Sequence, residues 1–289
     1  MQLINSFENL IFEKKTLMRI IEDKYFPDYS EIIGNRIGQS LRAFDFSELS
    51  ANFGYKTQAS AVYSLNIEGN TIDPNSYITY KLSPTKVKSL KEIQEIDNLT
   101  KSYVFAQSYE LTEENFLHCH RILSKTLVSY KRQGKYRNEK VVVFGQSGQV
   151  YLAIEPEHVK SAMADFFLDI ESLLEQKLTA IQSLYFASFI HLKFLHIQPF
   201  FVGNGRAARL LEKWFLTQKL GNGQWSLSSE KYYKENQSDY YNNINLGVNY
   251  NELNYDNCMP FLMMLPKSIE NINGSPTGDF NVIFEFRGR

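Results

Sequence analysis

The residues best suited to chemistry lie in Gly203-Asn204-Gly205-Arg206, which a second arginine, Arg209, follows closely. Glycine adopts positive φ readily and asparagine tolerates it, so this stretch predicts successive backbone N–H groups that point into one concavity. Such a nest binds anions. The next residues, AARLLEKWFLTQKL, are helical by composition and stop at Gly221. The nest is therefore expected at a helix amino terminus, which also favours negative charge.

Both arginines fall near the positive end of this predicted helix, three residues apart and on nearly one face. Cations are unfavourable there, so we expect an anion that compensates Arg206 and Arg209. The preceding segment, Thr179 to Leu195, is apolar on nearly every side, which predicts a helix buried in the middle of a domain. A buried helix, a loop that contains Pro199 and an arginine-bearing helix together make a scaffold for a phosphate-bearing ligand.

The stretch Gln198 to Arg209 resembles the signature of the Fic (Fido) family, His-Pro-Phe-x-Asp/Glu-Gly-Asn-Gly-Arg-x-x-Arg, whose members mostly transfer AMP from ATP to a protein hydroxyl. Alignment on the glycines places Pro199 and Phe200 on the Pro and Phe of that motif. The resemblance implies a catalytic position at Asn204. It also implies that the ATP phosphates contact Gly203, Asn204, Gly205, Arg206 and Arg209.

Two positions depart from the motif. Its histidine, the family's general base for the target hydroxyl, falls on Gln198, and its acidic residue, a ligand of Mg²⁺, falls on Val202. A glutamine amide has no useful basicity near neutral pH, and a valine side chain offers no oxygen to a hard cation. General-base catalysis contributes about 10²–10⁴-fold to a rate. Losing the base and the metal ligand together predicts transfer reduced by several orders of magnitude.

A second match lies in the predicted helix Gln58 to Ile72, which is expected to stop at Gly69-Asn70. There, Ser64-x-x-x-Glu68-Gly69 is similar to the inhibitory motif Ser/Thr-x-x-x-Glu-Gly/Asn that one class of Fic proteins carries. The resemblance implies that Glu68 pairs with Arg209 and blocks productive binding of the γ-phosphate. A surface glutamate near a helix end is the alternative for so short a pattern.

One segment, Gly134 to Ile154, has a β pattern, because VVVF and QVYLAI flank a connection that contains glycines. The family carries a hairpin flap here, introduced by Gly-x-Tyr/Phe-Arg, and Gly134-Lys135-Tyr136-Arg137 fits. The resemblance implies that the flap holds a target protein by adding it as an extra strand. Its strand residues would be Val141, Val142, Val143 and Phe144. A structural hairpin that covers the core is the alternative.

The rest of the pattern is helical, so the predicted fold is all-α, the mainly helical Fic fold, with one short β-hairpin flap. Asp73-Pro74-Asn75 is expected to be a turn, and Thr112 is expected to cap a helix. Further helices are predicted over Leu3 to Tyr25, Tyr29 to Phe44 after a break at Pro27-Asp28, Pro84 to Tyr109, Pro156 to Leu174 and Cys258 to Leu265. We predict a helical appendage at 1–57, a Fic-like core at 58–265 with the inhibitory helix at about 58–70, and a tail at 266–289.

Several aromatic and imidazole side chains have packing roles in this interpretation. His191 and His196 are expected to be packed or hydrogen-bonded, since a base at His196 would face another side of the structure than the motif position. Tyr240 and Tyr241 match paired tyrosines that are common in the family, which would place them beside the adenine. Ordinary packing on a helix is the alternative for both tyrosines.

Composition excludes several classes of protein. The chain has 289 residues, of which 43% are hydrophobic, and a formal net charge of −1, so no basic excess indicates binding to nucleic acid or a membrane surface. No segment resembles a leader or reaches the roughly 18 uninterrupted apolar residues of a membrane span, so a cytoplasmic location is expected. Cys119 and Cys258 are the only cysteines, too few for a disulfide framework or a zinc cluster, and both are expected to be buried.

These patterns lead to one preferred hypothesis and two alternatives. The preferred one is a relative of the autoinhibited protein adenylyltransferases that keeps an ATP pocket, has little or no activity and works with a protein partner. With Val202 in place of the acidic residue, no ligand for Mg²⁺ is predicted. The first alternative is an active nucleotidyltransferase with an altered mechanism, and the second is a helical protein-interaction module whose glycines form only a turn. The sequence leaves the partner's identity and homo-oligomer formation open.

Overall fold

The structure, a computed structural model, describes residues 18–36, 53–84, 89–144 and 150–274. This part of the chain is mainly helical with a single two-stranded antiparallel sheet, which confirms the predicted fold class. Its elements are α1 (Phe26–Arg36), α2 (Phe53–Ile67), α3 (Pro74–Leu82), α4 (Leu90–Ser108), α5 (Glu113–Leu123), β1 (Val142–Phe144), β2 (Val150–Leu152), α6 (Pro156–Glu175), α7 (Ala180–Ile197), α8 (Asn204–Leu220), α9 (Ser229–Glu235), α10 (Gln237–Ile244), α11 (Met259–Leu262) and α12 (Met264–Gly274).

Helices α7 and α8 pack against each other and form the centre of the molecule. The apolar sequence of α7 predicts burial on all sides, and every residue from Ser183 to Ile197 is indeed buried. Thr179 begins this helix with a capping box: its hydroxyl accepts from the backbone N–H of Gln182, and the Gln182 side chain accepts from the N–H of Thr179. The predicted central helix is confirmed and extends to Ile197.

Helix α8 lies between two glycines with left-handed backbone. Gly203 has a φ of 82° directly before the helix, and Gly221 has a φ of 98° directly after it. Residues with side chains rarely adopt such φ values, so glycine defines both ends. Because residues 198–203 alone connect α7 to α8, the arginines in the first two turns of α8 lie beside the end of the buried helix.

The chain before α1 differs from the prediction. Met18 to Tyr25 are not helical, although a helix was expected from Leu3 to Tyr25; residues 1–17 lie outside the described ranges. Instead, the carboxylate of Asp169 in α6 accepts from three successive backbone N–H groups at 2.7 to 3.0 Å, those of Arg19, Ile20 and Ile21. These bonds hold the segment against α6 without helical pairing.

The predicted break at Pro27-Asp28 is also wrong, since both residues lie in the first turn of α1. Proline is tolerated there because the first helical N–H groups have no intrahelical partner. Helix α2 begins at Phe53, earlier than expected, and ends at Ile67. The predicted stop at Gly69 is confirmed, because Gly69 has a φ of 96°.

The turn predicted at Asp73-Pro74-Asn75 is the start of α3. The Asp73 carboxylate accepts from the N–H of Ser76 at 2.9 Å, and Pro74 occupies the first helical position. Aspartate followed by proline begins turns and helices alike, which explains the error. Helix α4 likewise begins later than expected, after Ser89, whereas the cap at Thr112 is confirmed.

Strands β1 and β2 form the predicted hairpin, although residues 145–149 of its connection lie outside the described part. Val141, expected within the first strand, precedes β1, and its carbonyl accepts from the N–H of Ala153 at 3.2 Å. On the other side of β2, the N–H of Leu152 donates to the carbonyl of Val248 at 2.9 Å. Among the described residues, the outer edge of β1 therefore has no neighbouring strand.

The helix predicted from Pro156 is present as α6, and the helical region predicted at Cys258 to Leu265 contains α11 and the start of α12. Cys119 and Cys258 are buried, as expected. Within the described ranges, no helix combines the length and the apolar character needed to cross a bilayer.

Candidate anion site at the start of helix α8

The predicted glycine nest is realised only in part. Gly203 has positive φ, whereas Asn204 and Gly205 are already helical. Gly205 matters for another reason: a Cβ atom at this position would lie 2.3 Å from Oε1 of Glu68. The Glu68 carboxylate therefore lies directly against the amino terminus of α8, where backbone N–H groups and the helix dipole favour negative charge.

Each of the three side-chain nitrogens of Arg209 donates to a protein acceptor. Its side chain is 1% exposed, and its Nη2 donates to Oε1 of Glu68 at 2.8 Å. Nη2 also donates to the Ser64 carbonyl at 2.9 Å, and Nε donates to the Ser64 hydroxyl at 2.8 Å. Nη1 donates to the hydroxyl of Tyr240 at 3.1 Å. The residues of the predicted inhibitory motif, Ser64 and Glu68, thus supply most of the acceptors of this guanidinium.

Arg206, one turn earlier, lacks such partners. Its residue surface is 9% exposed, and its Nε is buried without a hydrogen-bond partner among the described residues. Buried polar atoms are nearly always paired, because leaving one unpaired costs the free energy of its lost hydration. The planar guanidinium matches the oxygens of a carboxylate or phosphate. The site therefore retains an unused donor for an anion.

Charge couples both arginines to Glu68. Burial alone would raise the pKa of Glu68, but Arg209, and then Arg206, bring this pKa below its ordinary value. Burial lowers the pKa of Arg206, which the charge of Glu68 opposes. Glu68 is therefore ionised at neutral pH and is the anion that the two arginines require.

The two substituted motif positions lie on the loop between α7 and α8. Gln198 ends α7 with a φ of 48°, and its carbonyl accepts from Nε of Arg137 at 2.7 Å. Val202 has an aliphatic side chain, and its carbonyl already accepts from Nε2 of His120 at 3.0 Å. Position 202 thus does not fit the Mg²⁺ ion that the resemblance implies. The described ranges also contain no group of three or more side chains suited to a metal.

The side chain of Asn204 faces this loop. Its Oδ1 accepts from the N–H of Phe200 at 2.9 Å, and its Nδ2 donates to the Phe200 carbonyl at 2.8 Å. Asn204 is therefore a brace between the loop and the first turn of α8. Its contact with a phosphate stays a prediction.

Sequence reasoning missed the role of Arg137, which holds the loop from outside. Besides Gln198, its guanidinium donates from Nη2 to the carbonyls of Ile197 at 3.3 Å and Ile154 at 2.5 Å. Its backbone N–H donates to the carbonyl of Pro199 at 2.9 Å. A cation is favourable at the carboxyl end of α7, where carbonyls lack helical partners. The available signal was the Gly-x-Tyr-Arg pattern, which placed Arg137 near the flap and gave it no role at the loop.

His120 braces the same loop from α5. Its ring stacks on Phe200 with centroids 3.5 Å apart, and its Nδ1 accepts from the N–H of Gly134 at 3.1 Å. Because Nδ1 accepts, Nε2 carries the proton that it donates to the Val202 carbonyl. Burial lowers the pKa of His120 to about 4, so this neutral form persists at physiological pH.

Both ring nitrogens of His196 have hydrogen-bond partners within the protein. It is buried, with Nδ1 at 2.7 Å from the Tyr255 hydroxyl and Nε2 at 2.8 Å from the Ile244 carbonyl. Burial lowers its pKa to about 4. His191 is also buried and bonded, to Glu212 and Tyr240. Both histidines have the packed, hydrogen-bonded environments expected from the sequence.

The carboxyl end of α2, which delivers Glu68, is held by side chains from α9 and α10. Nζ of Lys234 donates to the Asn66 carbonyl at 3.0 Å. The Ile67 carbonyl accepts from Nε2 of Gln237 at 2.8 Å and from the hydroxyl of Tyr241 at 3.0 Å. The last carbonyls of a helix lack intrahelical partners, so these donors stabilise the helix end directly before Glu68.

The hairpin lies beside the motif loop, because the hydroxyl of Tyr151 donates to the carbonyl of His196 at 2.5 Å. Three apolar side chains on the hairpin remain exposed, those of Val142, Phe144 and Val150, and Phe144 is 75% exposed. The predicted flap strand therefore carries apolar side chains in water next to an unpaired strand edge.

Comparison with known proteins agrees with this fold. Residues 110–216 match the family model described as Fic/DOC family, a range that runs from before α5 into α8. Among solved structures, the chain is similar to a Fic family protein from Desulfovibrio desulfuricans G20, at 22% identity and a TM-score of 0.66, over 86% of this chain and 73% of that one. It is also similar to a Fic domain containing signaling protein from Bacteroides thetaiotaomicron VPI-5482, at 18% identity and a TM-score of 0.60, over 86% of this chain and 93% of that one. A third similar structure is Fic-1 from C. elegans, at 21% identity and a TM-score of 0.61, over 86% of this chain and 73% of that one. These structures share the fold.

Proposed function

We propose that the protein, whose residues 110–216 match the model of the Fic/DOC family, binds ATP at the start of α8 and that Glu68 holds this site shut. The ATP phosphates contact Arg206, Arg209 and the turn at Gly203. AMP transfer is absent or strongly impaired, so the protein works mainly through what it binds. The cytoplasmic location expected from the sequence remains part of this proposal.

The position of the Glu68 carboxylate carries the proposal. It lies against Gly205 at a helix amino terminus and 2.8 Å from Nη2 of Arg209, surroundings that suit a phosphate oxygen equally well. Beside it, Nε of Arg206 has no acceptor within the described part of the chain. A phosphate-bearing ligand would supply that acceptor and compete with Glu68 for Arg209.

The loop residues support impaired chemistry. When bound, ATP would supply an electrophilic phosphorus, but the attacking hydroxyl must lose its proton to a base. Gln198 cannot take that proton, and both ring nitrogens of His120 and His196 are engaged in hydrogen bonds within the protein. Val202 offers no oxygen for a metal ion that would stabilise the phosphates. Binding without efficient transfer is the outcome these residues favour.

The protein partner is proposed to bind at the hairpin. An extended segment of the partner would add to the free edge of β1 through backbone hydrogen bonds, and its side chains would cover Val142 and Phe144. Edge pairing explains why apolar side chains are exposed on so short a strand.

Direct titration with a fluorescent ATP analogue tests the binding claim. Glu68→Gly should bind it, and adding Arg206→Ala should weaken binding about tenfold or more, because a hydrogen bond to a charged group is worth about 1.5–3 kcal/mol. Arg121→Ala, which removes an exposed arginine on α5, is the matched control and should change nothing. Failure of Glu68→Gly to bind would leave the helical interaction module as the better description.

Labelling from ATP that carries a labelled α-phosphate tests the chemistry. Glu68→Gly should remain unlabelled, whereas adding Gln198→His and Val202→Asp should restore transfer by about 10²–10⁴-fold or more. Histidine tolerates the left-handed backbone at position 198 better than most residues, so the replacement fits the loop. Label on Glu68→Gly itself would mean that an active transferase with an altered mechanism is correct instead.

A further inference from the structure

Two consecutive tyrosines on α10 form hydrogen bonds near the Glu68–Arg209 pair, one with Arg209 and one with the residue before Glu68. Tyr240 bonds to Arg209, whereas Tyr241 bonds to the backbone immediately before Glu68. Consecutive helical residues point about 100° apart, so one short helix reaches both the cation and the segment that carries the anion. One tyrosine therefore contacts the cation, and the other contacts the segment that carries the anion.

Tyr240 connects Arg209 to a buried chain of hydrogen bonds. Its hydroxyl lies 2.9 Å from Nε2 of His191, and Nδ1 of His191 lies 2.7 Å from Oε2 of Glu212. The hydroxyl of Tyr233 donates to both Glu212 oxygens at 2.9 and 3.0 Å. All of these residues are buried in the core formed by α7, α8, α9 and α10.

With a neutral imidazole at His191, the donors and acceptors of this hydrogen-bond chain follow one order. Arg209 only donates, so the Tyr240 oxygen accepts, and the Tyr240 hydroxyl then donates to His191. His191 passes the order on by donating from Nδ1 to the Glu212 carboxylate. Burial raises the pKa of Tyr240, so its phenol keeps the proton it donates. The hydrogen bonds that link Tyr240, His191, Glu212 and Tyr233 run between α7, α8, α9 and α10, so we expect this anchor to persist when α2 moves.

Tyr241 has the opposite connection. Its hydroxyl bonds to the Ile67 carbonyl, which also accepts from Gln237, while Lys234 bonds to Asn66. All three donors act on the end of α2, whereas the acceptors of Arg209 are Ser64, Glu68 and Tyr240. Removing one of them loosens the segment that carries Glu68 and leaves the arginine in place.

We propose that Tyr240 is a positioning residue that holds Arg209 ready for a phosphate oxygen, and that Tyr241 is part of a latch that keeps α2 over the site. The positioning role rests on the proposed ATP binding, whereas the latch acts on the protein without any nucleotide. Replacing either hydroxyl by hydrogen should therefore change ATP affinity in opposite directions.

The test measures affinity for the same fluorescent ATP analogue after Tyr240→Phe or Tyr241→Phe. Each substitution is made both in the protein that keeps Glu68 and in Glu68→Gly. Tyr241→Phe should raise affinity about fivefold in the protein that keeps Glu68 and change nothing in Glu68→Gly, since one ordinary hydrogen bond of the latch is lost. Tyr240→Phe should lower affinity about fivefold in Glu68→Gly. Tyr185→Phe, which removes a hydroxyl bonded to the Glu22 carbonyl at 2.7 Å, is the matched control.

Hydrogen exchange of the backbone amides at 65–69, measured without nucleotide, decides the latch independently. Tyr241→Phe should accelerate this exchange about fivefold, and Tyr240→Phe should not. Unchanged exchange in Tyr241→Phe, or the same change of affinity for both variants in Glu68→Gly, overturns the inference. If Glu68→Gly binds no ATP, the proposed function and the positioning role both fail, and the exchange result still confirms or refutes the latch.

Discussion

Helix α8 carries two cations one turn apart that meet α2 in the same way but differ in their carboxylates. Nε of Arg209 donates to the Ser64 hydroxyl, and Nζ of Lys213 donates to the Ser60 hydroxyl, both at 2.8 Å. The spacing of four residues in each helix aligns the two contacts. What differs is the source and the exposure of the anion that each cation binds.

The carboxylate of Lys213 is sealed in the core. Glu230 comes from α9, is 0% exposed, lies 2.6 Å from Nζ and also accepts from the Tyr103 hydroxyl at 2.6 Å. The carboxylate of Arg209 comes from the end of α2, and 30% of the Glu68 side chain remains exposed. The first pair belongs to the folded core, whereas the second has a partly exposed anion, which under the proposed function leaves while the core stays intact.

Breaking the sealed pair should have the largest effect on stability. Lys213→Met leaves Glu230 as an unpaired buried charge and should lower the free energy of unfolding by about 3–5 kcal/mol. Glu68→Gln, with a partly exposed anion, should cost about 1 kcal/mol. Urea unfolding of both variants measures the difference, and equal losses would contradict the distinction between the two pairs.

Lowering the pH should first reduce the free energy of unfolding through His120 and His196, before it breaks either ion pair. His120 and His196 have pKa values lowered to about 4, from an ordinary value near 6.5, so the unfolded chain binds more protons between these values. Stability should therefore fall as pH drops from about 6.5 toward 4, by roughly 3 kcal/mol for each histidine. The pKa values of Glu68 and Glu230 lie below the ordinary value of 4.5, so both carboxylates stay ionised through most of this fall.

Unfolding free energies of the unmodified protein and His120→Gln, compared from pH 7 to 4.5, check this order. The variant should lose roughly half of the pH dependence over that range. A pH dependence that survives fully in His120→Gln would refute the assignment to this histidine.

The two serines offer the finest comparison. Ser64→Ala and Ser60→Ala each remove one acceptor from a buried cation and should each cost about 1–2 kcal/mol of stability. Only Ser64→Ala should also raise ATP affinity, about threefold, because it weakens the contact that holds α2 on Arg209. A similar gain from Ser60→Ala would mean that the two contacts are not functionally distinct.

Several features that depend on neighbouring residues in the sequence were predicted correctly. The uninterrupted apolar character of α7, the glycine after α8 and the hairpin were all readable, and two short motifs suggested that Glu68 meets Arg209. The Asp73-Pro74 start of α3 was not, because the same residues begin turns and helices. The positive φ expected at Gly205 was also wrong. This position requires glycine because a Cβ atom there would collide with Glu68, which is distant in sequence.

Long-range hydrogen bonds lay beyond sequence reasoning. The acceptors of Arg137 are backbone carbonyls, which carry no residue identity that a sequence could reveal. The contact of Tyr240 with both Arg209 and His191 requires three helices to meet at measured distances. A hint was available in the equal spacing of Ser60 and Ser64 against Lys213 and Arg209, but it becomes meaningful only when α2 and α8 are known to pack together.

The most direct test of the closed anion site is the gain in unfolding free energy when ATP is added. A ligand that binds only the folded state stabilises it by RT ln(1 + [L]/Kd), which is about 2.7 kcal/mol at one hundred times Kd. At the same millimolar ATP, Glu68→Gly should gain clearly more stability than the unmodified protein, and Glu68→Gly with Arg209→Ala should lose most of that gain. Equal gains with and without Glu68 would contradict the claim that this carboxylate occupies the phosphate position.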